Sequence, residues 1–323
     1  MSGSPRKLAG ELLAAWKLTP VKLGTLGTAL LFGGSLTPAY LPQNSPWWEP
    51  LRALGWDNWI GQLVGTALVV CGVALLVYGW FALRPSGQIR VKYWAVGVLW
   101  AIPLLFAPPI FSHDAYGYAA EGWLLHNGLN PYEFPVSTQP GPFADQVAWL
   151  WRYDTAMYPP LSLRIFHGLV LLGGLNPYYS TLMMRVPALI GVFLIAHFVP
   201  RIAKKLGANV AVTAWFALIN PMLLVDLVGG AHNDALMLGL VVTALWLAVA
   251  GPRWLPKRLR GENWIGRALG FALPPIIIGV AACVKQPALL AALALPMIGY
   301  PWRTFSWRDS SLALARIGAS LVI

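Results

Sequence analysis

Apolar residues in this chain fall in continuous runs of about 18–24 residues, separated by short polar segments. Runs of that length cross a hydrocarbon core of roughly 30 Å as helices. A membrane barrel would instead show short segments alternating polar with apolar positions. The pattern predicts an all-α, polytopic transmembrane helical bundle. Spans are expected near 23–40, 60–83, 93–111, 181–200, 209–228, 234–251, 265–284 and 287–300. A last run, 312–323, stops short of the ~20 residues a crossing needs. From this the chain is expected to be a fragment, or one piece of a split protein, ending inside an incomplete ninth span.

Composition sharpens the reading. With 57% hydrophobic and 11% charged residues, 17 Trp and 27 Pro in 323 residues, the chain departs from a soluble domain. The net charge of +11 would suggest nucleic acid if it lay on one soluble face, but the cations sit in short clusters between apolar runs. Those clusters are 1–22, 84–92, 201–208, 252–267 and 301–310, and they mark the cytoplasmic side. Arg52, Arg152, Arg164, Arg185 and Lys285 fall on the opposite side. Arg6, Lys7, Lys17 and Lys22 precede an apolar run too long for a signal peptide, so an uncleaved first span is expected. Cys71 and Cys283 both lie in apolar runs, which disfavours a disulfide framework.

This topology divides the chain into a cytoplasmic N-terminus (1–22), three spans (23–111), one large external loop (112–180) and the remaining spans (181–323). The segment 161–175 is apolar, but counting it as a span would put Arg201, Lys204 and Lys205 outside. It is therefore expected to lie on the outer membrane surface. A loop that long and rich in Tyr, Trp and Pro is expected to have work to do. The first external loop, 41–59, carries Trp47, Trp48, Trp56 and Trp59, for which an interfacial aromatic belt suffices. Gly61 and Gly65 form a GxxxG, a weak helix-packing signal.

Nine of the 12 acids fall outside or at the outer boundary: Glu49, Asp57, Asp114, Glu121, Glu133, Asp145, Asp154, Asp226 and Asp234. No Walker A loop, dinucleotide fingerprint, GxSxG elbow or zinc spacing occurs. Asp114 has two readings. It is either the N-cap of a helix over 115–125 or a general base at the membrane surface. The stretch Gly229-Gly230-Ala231-His232-Asn233-Asp234 reads either as a capped helix start or, with His, Asn and Asp on the same side as Asp114, as a polar site for a hydroxyl-rich ligand. Asp226 could be interfacial or the partner of a nearby cation. Lys285, Arg185 and Arg164 either snorkel to headgroups or form a phosphate site, since outside cations run against the orientation bias.

Together, Ser112-His113-Asp114-Ala115-Tyr116-Gly117-Tyr118, Gly128-Leu129-Asn130-Pro131-Tyr132, Tyr158-Pro159-Pro160-Leu161, Gly229 to Met237 and Lys285-Gln286-Pro287 resemble the signature stretches of actinobacterial α-1,6-mannosyltransferases. These are GT-C membrane glycosyltransferases that use polyprenyl phosphate mannose in lipomannan and lipoarabinomannan core synthesis. The resemblance covers roughly residues 90–300. It implies a GT-C type bundle, an inverting transfer without metal or cofactor, and an acid in the large external loop as base, the position Asp114 matches. From the outside cations, Lys285, Arg185 and Arg164 are expected to hold the donor phosphate, with His113, Tyr116, Tyr158, His232, Asn233 and Asp234 in acceptor or auxiliary roles. The expected partners are the lipid donor, a mannan-type glycolipid acceptor and membrane lipids, with no nucleic acid. The expected location is the plasma membrane, with the site facing outward. Departing from many GT-C enzymes, two spans here precede the helix that leads to the acid. A related enzyme forming α-1,2 branches, a lipid transporter or flippase, and a non-catalytic assembly subunit are the alternatives.

Overall fold

In the computed structural model, residues 4–43, 45–87, 91–251, 264–295, 298 and 307–322 are described. Among them every regular element is a helix, as the continuous apolar runs require. Two helices, Trp59–Ala82 and Pro177–Lys205, are long and apolar enough to cross a membrane. A third qualifies if Val210–Leu218 and Leu223–Gly229, bent by 47° at their junction, form one broken span.

Proline explains most departures from the expected boundaries. The run expected at 23–40 is a helix over Thr19–Ser35, entered through Pro20 in its first turn and left before Pro38. The run expected at 93–111 stops at Phe106, because Pro108 and Pro109 cannot continue a helix. Pro221 interrupts the run at 209–228. Asn220 caps the restart by accepting from the Met222 amide, and the continuation from Leu223 is π-helical. Toward the end, the run at 287–300 gives only short helices over Gln286–Leu289 and Leu290–Ala294. Positions 296, 297, 299 and 300 of that run, and the cations Arg90, Arg253, Lys257, Arg258, Arg260 and Arg303, lie outside the described residues, as does the Arg267 side chain.

The chain divides into two units. The first comprises Met1–Met157, Leu163–Leu189 and Ala214–His232. Here the Thr19–Ser35 and Trp59–Ala82 helices pack closely on small residues: a Cβ on Gly27 would lie 2.6 Å from the Gly72 carbonyl oxygen. Gly65 faces Thr37, so the GxxxG packs within the chain. Fully buried Trp100 lies against Gly24 and donates from Nε1 to Val21 O at 2.9 Å. Trp80 and Trp215 stack at 4.6 Å, and each indole donates to the other's carbonyl. Within 112–180 the helix Asp114–His126 buries one side, where Tyr118 stacks on Phe166 at 4.5 Å. The apolar segment expected on the membrane surface forms Pro160–Leu172, only 13 residues long.

The second unit comprises Tyr158–Ser162, Ile190–Thr213 and Asn233–Ile323. Its helices Asp234–Ala250 and Trp264–Val284 meet around Ala244, Ile278, Ala292 and Leu295.

Candidate active site

Three segments of the first unit are tied together by one guanidinium. Arg185, 3% exposed, donates from Nε to Val228 O at 2.8 Å and from Nη1 to Leu105 O at 3.0 Å. Its Nη2 reaches Ala107 O at 2.7 Å and Gly229 O at 3.1 Å. Four of its five N–H donors therefore satisfy carbonyls at the end of the Tyr93–Phe106 helix and at the end of the π-helix. Arg185, expected among the donor-phosphate ligands, is in this structure a staple between the segments leading to Asp114 and to His232. Arg164 is exposed on its helix.

Beyond the staple both segments pass through left-handed residues that lack glycine's freedom: Phe111 at φ 71° and Ala231 at φ 54°. Each costs on the order of 1–3 kcal/mol, and such strain gathers at sites where geometry matters more than stability. Gly230 allows a close approach. A Cβ there would stand 2.6 Å from Asp226 O and 3.0 Å from the His232 ring.

These segments bring Asp114, His232 and Asp226 together. His232 Nδ1 lies 3.5 Å from Asp114 Oδ2, and its Nε2 lies 3.3 Å from Asp226 Oδ1. Tyr118, one turn beyond Asp114, donates to the same Oδ2 at 3.4 Å. The Asp114 carboxylate does not cap its helix. The backbone N–H of Asp114 donates to Ser112 Oγ at 3.1 Å, and no side chain caps the first turn. Its side chain keeps 30% exposure, so a substrate hydroxyl can reach it. An imidazole with a carboxylate on each nitrogen donates to both only when doubly protonated. His232 thus stands between the carboxylates of Asp114 and Asp226.

Glu121 lies two turns beyond Asp114 on the same helix face. The residue is partly exposed, but its Oε2 is covered and has no hydrogen-bond partner. Burial, and secondarily the charge of Asp114, pushes its carboxyl up to about 8. Pattern reading counts Glu121 only among the outer acids, because its burial has no local signature.

The rings of His113 and Tyr116 meet tilted at 5.6 Å, and the Tyr116 hydroxyl donates to Pro109 O at 3.0 Å. Burial raises the Tyr116 phenol, which stays a neutral donor.

In the second unit, Lys285 Nζ donates to Asp234 Oδ2 at 2.6 Å and stands 5.9 Å from the centre of the Tyr158 ring. Asn233, 2% exposed, donates from Nδ2 to Ser162 Oγ at 2.8 Å and to Val284 O at 3.3 Å. Its Oδ1 is buried without a partner. As with Asp114, the Asp234 carboxylate opens a helix without capping it. Among the described residues no three His, Cys, Asp or Glu side chains are grouped to hold a metal ion.

Comparison with known proteins gives a consistent picture. Residues 21–303 match the family described as "Alpha-(1->6)-mannopyranosyltransferase, N-terminal domain". The chain is 30% identical to α-(1→6)-mannopyranosyltransferase A of Mycobacterium tuberculosis, over 88% of its own length and 52% of that protein's. A second M. tuberculosis protein named as an α-(1→6)-mannopyranosyltransferase is 34% identical, over 71% of the chain and 40% of the relative. The α-(1→6)-mannopyranosyltransferase A of Corynebacterium glutamicum is 33% identical, over 61% and 36%. The chain therefore spans about half the length, or less, of these relatives. No solved structure matches it.

Proposed function

We propose, from the premise that this chain belongs to the α-(1→6)-mannopyranosyltransferase N-terminal-domain family, that it carries the base of an inverting mannosyl transfer at the outer face of the plasma membrane. The donor is polyprenyl phosphate mannose, the acceptor a mannan-type glycolipid, and the new linkage α-1,6. The apolar runs form a multi-pass GT-C type bundle around this chemistry, with 112–180 outside.

One observation carries the reading: the Asp114 carboxylate is partly exposed, accepts from Tyr118 and stands 3.5 Å from His232 instead of bonding to its own helix end. As the acceptor oxygen attacks the anomeric carbon, its proton passes to Asp114. The bond from that carbon to the phosphate oxygen breaks, and its electron pair leaves with the polyprenyl phosphate. A β-linked donor thereby gives an α-linked product. The proton then has a way out through His232 to Asp226, whose side chain is 40% exposed. Lys285 is the donor-phosphate ligand, exchanging Asp234 for phosphate, and such a cation stabilises charge developing on the leaving group. Arg185 holds the frame. Arg164 contributes at most headgroup attraction.

The test is transfer from labelled polyprenyl phosphate mannose to a short α-1,6-mannoside by the protein in membranes, with the product digested by linkage-specific mannosidases. An α-1,6-linked product, formed undiminished in EDTA, is expected. An α-1,2-linked product would reassign the chain to branching, and lipid flux without any product would reassign it to transport.

A further inference from the structure

We propose that the first external loop and Asp145–Gln146 form the acceptor subsite, a cleft that takes an uncharged, hydroxyl-rich oligosaccharide. This deepens the transferase reading and rests on it. The cleft lies in the first unit, with a volume of about 830 Å³, in the range of ligand pockets, roughly 300–1,000 Å³.

Its wall has the chemistry a pyranose needs. Tyr40 and Trp48 supply aromatic rings for the C–H faces of sugar rings. Gln43, Gln146 and Asp145 supply amide and carboxylate groups for hydroxyls. Gln146 is positioned by its Nε2 donating to Pro142 O at 2.8 Å.

Charge argues against a phosphate in this cleft. Although the chain carries 23 Lys and Arg, none is among the lining residues, and the Asp145 carboxylate offsets the charge of Arg152, 3.8 Å away, so the cleft offers an anion no net cation. Another cavity of this unit, about 640 Å³, is lined mainly by hydrocarbon from Phe32, Leu36, Phe106 and Leu189, with the stapled Arg185 as its cation.

Position supports the assignment as well. The lining includes Ser112 and His113, the two residues before Asp114, and Ser112 is bonded to the Asp114 amide. An acceptor in the cleft therefore abuts the segment that carries the base. The four tryptophans of the first loop separate accordingly. Trp47, Trp56 and Trp59 are 53%, 45% and 70% exposed, as an interfacial belt requires, whereas Trp48 is less exposed and is the one of the four that lines the cleft.

The experiment pairs ligand-observed NMR of a short α-1,6-mannoside, without donor, with acceptor and donor KM from the transfer assay. Trp48→Ala should weaken the mannoside signal and raise acceptor KM roughly tenfold, leaving donor KM unchanged. Trp48→Phe should recover most of that loss, attributing it to stacking and not to folding. Gln43→Ala should weaken acceptor binding more mildly, and Trp56→Ala should change neither KM. If wild type binds the mannoside and transfers mannose while Trp48→Ala and Gln43→Ala bind it equally well, the cleft assignment is overturned and the transferase reading stands. If wild type neither binds the mannoside nor transfers mannose, both fall.

Discussion

Replacing Arg185 by Lys separates the staple from the phosphate ligand, because it keeps the charge and removes the fork. The guanidinium meets carbonyls of Leu105, Ala107, Val228 and Gly229 from three nitrogens. An ammonium presents its donors from one point, so about two of these four bonds are lost. At a net ~1.5–3 kcal/mol for each hydrogen bond to a charged group, the cost is about 3–6 kcal/mol. That is a large share of a stability on the order of 5–15 kcal/mol. It corresponds to an apparent Tm lowered by about 4–9 °C in detergent, read by scanning fluorimetry. Transfer should fall through kcat, since the frame behind Asp114 and His232 loosens, while donor KM stays near wild type. A variant with wild-type Tm and a donor KM raised tenfold would refute this and return Arg185 to the phosphate.

Further outcomes follow from the other charged groups. Glu121 keeps its proton in the folded chain up to about pH 8 but loses it near 4.5 when unfolded. The unfolded state binds fewer protons across that window, so stability should fall as pH rises from about 4.5 to 8. Glu121→Gln should flatten this fall in a chemical-denaturation series, and an unchanged slope would place the titrating group elsewhere. Lys285→Gln should raise donor KM by roughly 10–100-fold with acceptor KM unchanged, measured in the transfer assay. His232→Gln keeps a polar ring-sized group without a titratable nitrogen. It should lower kcat by roughly 100-fold or more, with Tm near wild type; an unaltered kcat would remove His232 from the proton path.

Helices were legible because continuous apolar runs leave few other options, and proline positions explain where the runs break. The 112–118 stretch stood out as well, since an acid beside an apolar run is costly without a partner. What Asp114 bonds to was not. Helix-start statistics favour a cap, and only the convergence of 105–107 with 228–232 puts His232 beside the carboxylate. Arg185 shows the same limit: a cation early in an apolar run reads as a headgroup or phosphate ligand until four carbonyls far apart in sequence are seen to meet it. For Glu121, a spacing of seven from Asp114 carries meaning only once Oε2 is known to be covered. Trp48 could not be told from its three belt-like neighbours by composition.

The most direct measurement is the initial rate of mannose transfer by Asp114→Asn beside wild type, at equal folded protein and saturating donor. Asparagine preserves size and can still bond to Tyr118, but it cannot take a proton. The account predicts that transfer drops by at least roughly 100–10,000-fold, with Tm and mannoside binding retained. Turnover near the wild-type rate would contradict the assignment of Asp114 as the base.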